Sequence, residues 1–599
     1  MLSLAAALCA PGQARAAIPL AACGASGAQC GTVVVPLDRS GRTPGTVSLH
    51  VQVLPAETRA VGVMFLIAGG PGQGSAGAFD LGNRDSADFY QAIFPGYTLV
   101  AFDNRGTGKS GLIDCPALQR AVGVTVEQER ALARDCAEQI GPTRRFYATR
   151  DHADDIESVR TALGFGRVAL YGVSYGTKLA LAYALADPSN VDRLVLDSVV
   201  PPSYPDPFDA PVLTRMPGTL DAFCAGGRCR GATAGFGAEV AALANQLEAK
   251  PARGVVIAPG GGRTTAHMNG EDLVGLVIDS DLSPGLAAEL PAAVHAARAG
   301  YMRPLLRLFD IDERTSKLTS ADLSFGLNVA TNCADGRFPW SPDTPVAQRT
   351  AIWEAAVAGQ PSGSFGPFGN WAARMGTASL CLEWPSPSGN TPLGPGPFPN
   401  VPVLLVNGGY DLRTPVANAV AIARQFPQSH LIVVPGVGHS VLTADFSFCA
   451  ARAVRQWIQG AALPASAECP RGPALVKTLT AFPRTSTRTA QATLTVALKA
   501  VREAEASWLQ VLFSPSPVSP SGLFGGRLLS SAAPGFTLKG YSVAPGVLIS
   551  GRITAKIDAP ITFTGTVRVS GPKAARGTLR ITPTTLSGKL GGRRVSARF

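Results

Sequence analysis

Residues 167–180, RVALYGVSYGTKLA, pass from apolar, strand-forming residues through G-V-S-Y-G into a helix of small residues. A strand-to-helix turn bracketed by Gly172 and Gly176 lets the backbone fold sharply and lifts the oxygen of Ser174 clear of the sheet, as an attacking serine requires. In a chain with 66 glycines the same pentapeptide can also be an ordinary turn. The reading therefore depends on whether the partners of a nucleophile are present elsewhere.

Around this stretch, between residues 61 and 201, strand and helix patterns alternate, which predicts a parallel sheet with crossover helices. VGVMFLIAGG and TLVAFDNRG are apolar runs with polar or glycine-rich exits, and RLVLDSVV follows the Ser174 helix. DHADDIESVRTALG predicts an amphipathic helix with Ile156, Val159 and Leu163 on one face. From 202 to about 395 the alternation gives way to helical pieces such as EVAALANQLEA and LAAELPAAVHAARAG between Pro/Gly-rich connections, the pattern of an inserted lid. It resumes at VPVLLVNGGYD and HLIVVPGVGH, so 17–201 and 396–470 form one catalytic unit around a lid at 202–395. Thr414 is expected to cap the helix that follows, with Pro415 at its first position.

A serine hydroxyl needs a base, and the base an orienting carboxylate. In a sheet of this type they follow the serine in the order acid, then histidine, each just past the carboxyl end of a strand. Asp411 and His439 meet that requirement. The other five histidines, His50, His152, His267, His295 and His430, do not. The developing oxyanion needs backbone N–H donors. Tyr175, after the nucleophile, supplies one; A-G-G-P-G at 68–72 supplies the other through Gly70, with Gly69 as the alternative. The glycine run lacks the lysine and hydroxyl of a nucleotide-phosphate loop.

The chain of 599 residues is long enough for several domains. MLSLAAALCAPGQARAAIPL has a short apolar core and Ala14-Arg15-Ala16 before Ala17, so residues 1–16 read as a secretion signal. Removing it takes Cys9 and leaves ten cysteines, an even number, that fall as near neighbours: 23 and 30, 115 and 136, 224 and 229, 333 and 381, 449 and 469. Disulfides are expected on this basis, although the connectivity stays open and buried thiols are the alternative. No cysteine cluster has histidines at metal-ligand spacing, and no metal is expected. No apolar run after residue 16 approaches the length of a transmembrane segment.

The net charge of +11 is unevenly spread. Residues 471–599 hold 18 Lys and Arg against 3 Asp and Glu, whereas 1–470 hold 35 against 39. Within that tail, ATLTVALKAVREAEASWLQVLF predicts one helix, and Thr/Val-rich alternating segments from GVLISGRITAKI onward predict a small all-β module. The basic tail suggests an anionic cell-envelope surface as partner, against the alternative of a solvated basic face. No nucleic acid is expected.

Taken together, VVVPLDRS, AGGPG, FDNRGTGKSG, GVSYGT, LDSVV, GYDLRTP and GVGH resemble the α/β-hydrolase peptidases related to proline iminopeptidases. The secreted, cysteine-bearing tripeptidyl aminopeptidases are the nearer branch. The resemblance covers roughly residues 20–470. It implies an α/β-hydrolase fold and a cofactor-free serine peptidase that releases short N-terminal units from peptides through an acyl-enzyme. It also implies lid carboxylates for the substrate's ammonium group. The family's C-x-D and C-x-x-W-P patterns place these at Asp335, in Cys333-Ala334-Asp335, and Glu383, in Cys381-Leu382-Glu383-Trp384-Pro385; a structural role is the alternative for each. Ile67-Ala68 before the glycine run and Ser198 after Asp197 depart from the family pattern. An esterase or lipase on the same scaffold and a non-catalytic envelope-binding protein are the rival readings.

Overall fold

The computed structural model describes residues 18–121, 123–385, 396–558 and 560–599. The signal-like segment, residues 1–16, lies outside them, as does the end of the expected lid.

The chain opens with strands β1 (Ala21–Ala22), β2 (Gln29–Pro36) and β3 (Thr46–Leu54), followed by β4 (Gly62–Ile67), β5 (Tyr97–Phe102), β6 (Val168–Val173) and β7 (Val191–Asp197). A hairpin, β8 (Ala252–Ile257) and β9 (Arg263–Met268), belongs to the lid. Then come β10 (Val403–Gly408), β11 (Ser429–Val434) and β12 (Ser466–Glu468). The central sheet has the order β1-β2-β3-β5-β4-β6-β7-β10-β11-β12. From β5 to β12 every neighbouring pair is parallel, and β1–β3 join as an antiparallel edge. The apolar runs read from the sequence are the central parallel strands; β10 is buried along its whole length, as helices on both faces require.

The expected amphipathic helix spans Thr149–Ala162 and buries Ile156 and Val159, with Leu163 at its end. The FDNRG loop is held from beneath by its own charges. Arg105 is fully buried and grips Asp155 with two hydrogen bonds of 2.7 Å, while Asp103 accepts the amides of Ala76 and Lys109. Five disulfides join the neighbouring cysteines, Cys23–Cys30, Cys115–Cys136, Cys224–Cys229, Cys333–Cys381 and Cys449–Cys469.

Residues beyond 471 form a helix, Ala490–Leu512, and a separate antiparallel sheet of seven strands in sequence order. These are β13 (Arg527–Ser530), β14 (Gly535–Tyr541), β15 (Leu548–Lys556), β16 (Thr562–Ser570), β17 (Gly577–Ile581), β18 (Thr585–Leu590) and β19 (Arg593–Arg598). The tail is more than an appended module, because its apolar face and its helix share one hydrophobic core with the lid. Helix Ala490–Leu512 packs on lid helix Pro284–Arg298, where Gly285 lies so close to Ala506 that a Cβ there would overlap its carbonyl. At the same seam Arg307 of the lid is fully buried. It donates to the Ser521 carbonyl at 2.7 Å and to the Tyr541 hydroxyl at 3.0 Å, and it pairs with Glu503 of the tail helix at 2.6 Å. A buried guanidinium needs such partners, and both surfaces supply them. Among the described residues no helix is long and apolar enough to cross a membrane.

Candidate active site

Ser174 stands between β6 and the helix Tyr175–Ala186 with φ 55° and ψ −125°, a conformation that costs a non-glycine residue of order 1–3 kcal/mol. The turn fits only because its neighbours lack side chains. A Cβ on Gly172 would strike the Gly176 carbonyl, and one on Gly176 would strike that of Ile67. The sharp turn read from G-V-S-Y-G is therefore present, with the serine at its apex.

Asp411 and His439 come together as expected. Asp411 follows β10, His439 follows β11, and the carboxylate oxygen Oδ2 lies 2.9 Å from His439 Nδ1. Both side chains are buried. Burial alone would raise the Asp411 carboxyl, but the charge of His439 and hydrogen bonds from His439 and Thr414 outweigh it and hold it below the ordinary range. Thr414 does not cap a helix. The helix Val416–Ala423 starts after Pro415 with no side-chain cap, and the Thr414 hydroxyl donates instead to Asp411 Oδ2 at 2.7 Å, 3.1 Å from His439 Nδ1.

Three further groups complete the frame, of which the sequence reading notes only Ser198. Asp281, from the lid, is buried beside the acid loop; its carboxylate accepts the amides of Leu412 and Arg413 and the Arg413 Nε–H at 2.9–3.1 Å. Its carbonyl accepts the His439 amide at 3.0 Å. Asp197, at the end of β7, accepts the amides of Val441 and Leu442 and so fixes the chain after His439. Ser198, the departure from the family pattern, has φ 60°, which explains why glycine is usual there, and its hydroxyl accepts the Ser440 amide at 2.9 Å. Asp281, Asp411 and His439 are also the one grouping with metal-ligand proximity among the described residues. Every carboxylate oxygen in it already accepts an N–H or O–H, so the donor set is arranged as a hydrogen-bond relay.

The glycine loop lies against the serine: a Cβ on Gly69 would come within 2.9 Å of that of Ser174. The Gly69 amide donates to the Gln73 side chain. The Gly70 amide, in a residue with φ +108°, donates to no partner among the described residues, which distinguishes the two glycines read as alternatives. Tyr175 is the first residue of its helix, so its N–H has no carbonyl one turn back to bond. Its side chain has a task that the sequence reading passed over: the hydroxyl is buried 2.8 Å from Thr149 Oγ1 and 2.9 Å from His152 Nδ1.

Both lid carboxylates are paired. Asp335 accepts the Lys178 ammonium at 2.6 Å, the Thr149 amide at 3.1 Å and the Thr149 hydroxyl, all buried. Its charge is met by a cation one turn along the serine's own helix. Glu383 pairs with Arg134 at 3.0 Å on the partly exposed side of the lid. Both residues thus have structural partners, as the alternative for each had it: Asp335 is a buried strut that ties the lid to the catalytic domain, and Glu383 is one half of a partly exposed ion pair.

Comparison with known proteins agrees with this architecture. The model of the α/β-hydrolase fold matches residues 62–277, and that of TAP-like proteins matches 366–469. The serine protease Hip1 of Mycobacterium tuberculosis is 26% identical over 482 residues, covering 74% of this chain and 87% of the relative. The tripeptidyl aminopeptidase of Streptomyces lividans is 32% identical over 193 residues, 29% of this chain and 36% of that protein. Carboxylesterase B of M. tuberculosis is 28% identical over 473 residues, 74% and 86%. The first match spans Ser174 and the second spans Asp411 and His439, so the turn and its partners lie in the segments these families share. The chain is a hydrolase of the α/β-hydrolase family, in the branch that carries the TAP-like segment.

Proposed function

We propose that the protein is an extracytoplasmic serine peptidase that removes short N-terminal units from peptides. The observation that carries the reading is the TAP-like match across the Asp411–His439 segment, together with two relatives named as peptidases. His439, held by Asp411, takes the Ser174 proton as Oγ attacks the scissile carbonyl. The resulting oxyanion faces the Gly70 and Tyr175 amides. His439 returns the proton to the departing amine, and water then cleaves the acyl-enzyme by the same steps. The five disulfides suit an oxidising compartment. On the tail's sheet Arg552, Arg568 and Arg580 point outward, opposite the buried Ile553, Val567 and Leu579, a basic face that suits an anionic envelope surface.

The deciding experiment is a digest of peptides with free and acetylated N-termini. Release of short units that stops on acetylation supports the reading; indifference to acetylation moves it to an endopeptidase. The carboxylesterase relative favours a second reading, and ester turnover with no cleavage of any peptide would establish that one. Replacing Arg552, Arg568 and Arg580 by Gln should release the protein from envelope material at lower salt.

A further inference from the structure

A cavity of about 100 Å³ opens between the loop that leads to His439, the lid, and the first residues of the tail. Its walls include Phe223, Leu282, Tyr410 and Leu475, with the Tyr410 ring 4.3 Å from that of Phe223. Two carboxylates also line it, and neither is free. Asp281 is held by Arg413 and the acid loop, and Asp445 accepts the Ser447 and Ala450 amides and the Ser447 hydroxyl.

The cations are the reverse case. Arg228 lines the cavity half-buried, with its guanidinium 4.4 Å from the Phe223 ring and one long bond, 3.4 Å, to the Gly436 carbonyl. Arg471 stands beside it, bonded at 3.4 Å to the Ala222 carbonyl. Both guanidinium groups crowd the same face of Gly436. Among the described residues neither has a carboxylate within ion-pair distance. Burial, and then the charge of Arg471, push Arg228 down to about 10. Arg228, half-buried at the wall of the cavity, and the exposed Arg471 beside it at Gly436 are two adjacent guanidinium groups without an acid, and they leave an anion's place open at the cavity's edge.

We propose that this cavity binds a small carboxylate with a short apolar body, its oxygens on Arg228 and Arg471 and its carbon atoms against Phe223, Tyr410 and Leu475. Since a cavity of about 150 Å³ holds benzene, this one has room for about four carbon atoms. A free short-chain acid and the C-terminus of a peptide ending in a small aliphatic residue share that chemistry. The site is separate from the Ser174 turn, yet it rests on Gly436, three residues before His439, and on Tyr410, one before Asp411.

The test is calorimetric titration of the full chain, and of its Arg228→Gln and Arg471→Gln variants, with isovalerate, N-acetylvaline, 3-methylbutan-1-ol and sulfate. Saturable binding of at least one carboxylate is expected, with the alcohol silent and the affinity at least tenfold weaker in each variant. Tighter binding of isovalerate would assign a free acid, and tighter binding of N-acetylvaline a peptide C-terminus. Arg471 is exposed, so Arg471→Gln reports even if Arg228→Gln does not fold. Absence of carboxylate binding, unchanged affinity in Arg471→Gln, or sulfate bound as tightly as the carboxylates would overturn the proposal.

Discussion

Asp411 and Asp335 are both buried carboxylates tied to a basic side chain, Asp411 to the histidine that follows β11 and Asp335 to a lysine on the helix that follows Ser174. Asp411 holds the imidazole of His439 through its Nδ1. Asp335 holds the ammonium of Lys178, on the helix that begins at Tyr175, and reaches the Tyr175 hydroxyl through Thr149. The chemistry of the partner separates the roles: under the proposed mechanism the first pair moves a proton, and the second keeps a helix in place. The lid is involved in both, through Asp335 on one side and Asp281 on the other.

The strongest way to break the comparison is to neutralise each carboxylate without changing its shape. Asp411→Asn should lower kcat about 10,000-fold, since the amide no longer holds the imidazole in its working tautomer, while the melting temperature moves little. Asp335→Asn should do the reverse. It leaves a buried ammonium unpaired at a cost of about 3–5 kcal/mol in unfolding free energy, with kcat changed less than tenfold in the protein that remains folded. Replacing the pair together, Asp335→Leu with Lys178→Met, should recover most of that stability. Urea unfolding and steady-state kinetics on the same preparations measure both, and similar activity losses in the two single variants would erase the distinction.

A third substitution sharpens it. Asp281 has no side-chain hydrogen bond to the serine or the imidazole ring among the described residues, but it fixes the loops on which Asp411 and His439 stand. Asp281→Asn should lower kcat about 10- to 100-fold by misplacing both groups slightly, and KM should stay nearly constant. A change confined to KM would make Asp281 a substrate contact instead.

These residues differ in how far the sequence exposes them. Asp411 and His439 were legible because each follows an apolar strand in the order the chemistry requires, and Ser174 because its turn demands glycines at fixed offsets. Asp281 was not. It lies in SDLSPG, a lid segment with no motif, and its role exists only because the lid folds back across the strand ends. Thr414 looked like a helix cap since Thr-Pro is good cap chemistry, but a buried carboxylate beside it competes for the hydroxyl and wins. Asp335 carried a recognisable spacing, yet spacing cannot show that Lys178 neutralises it from another domain. The tail's strands were readable, whereas its union with the lid was hidden. One signal was available: Ala490–Leu512 has apolar residues around most of its circumference, as a helix enclosed by other elements does.

The smallest expected effect concerns how the strut responds to acid. His152 is buried against the Tyr175 hydroxyl, and burial, followed by the charges of Arg105 and Lys178, pushes its ring from the ordinary 6.5 down to about 3. The folded protein therefore keeps this imidazole neutral where the unfolded chain protonates it. Its contribution to stability is fully present above about pH 6.5 and is lost as pH falls toward 3, by at most about 1.4 kcal/mol per pH unit. Asp411, held below its ordinary range, also loses its contribution on acidification, but only beneath the usual carboxylate range. Between pH 6.5 and 4.5 the two networks can thus be told apart. His152→Gln retains a partner for Tyr175 and does not titrate, and subtracting its stability from that of the parent cancels the carboxyl groups that titrate in the same window. Urea unfolding at pH 7, 6, 5 and 4 should show the parent losing stability relative to the variant at each step. Parallel curves would mean that His152 takes up its proton inside the folded protein, and that the network under Tyr175 is open to water rather than sealed.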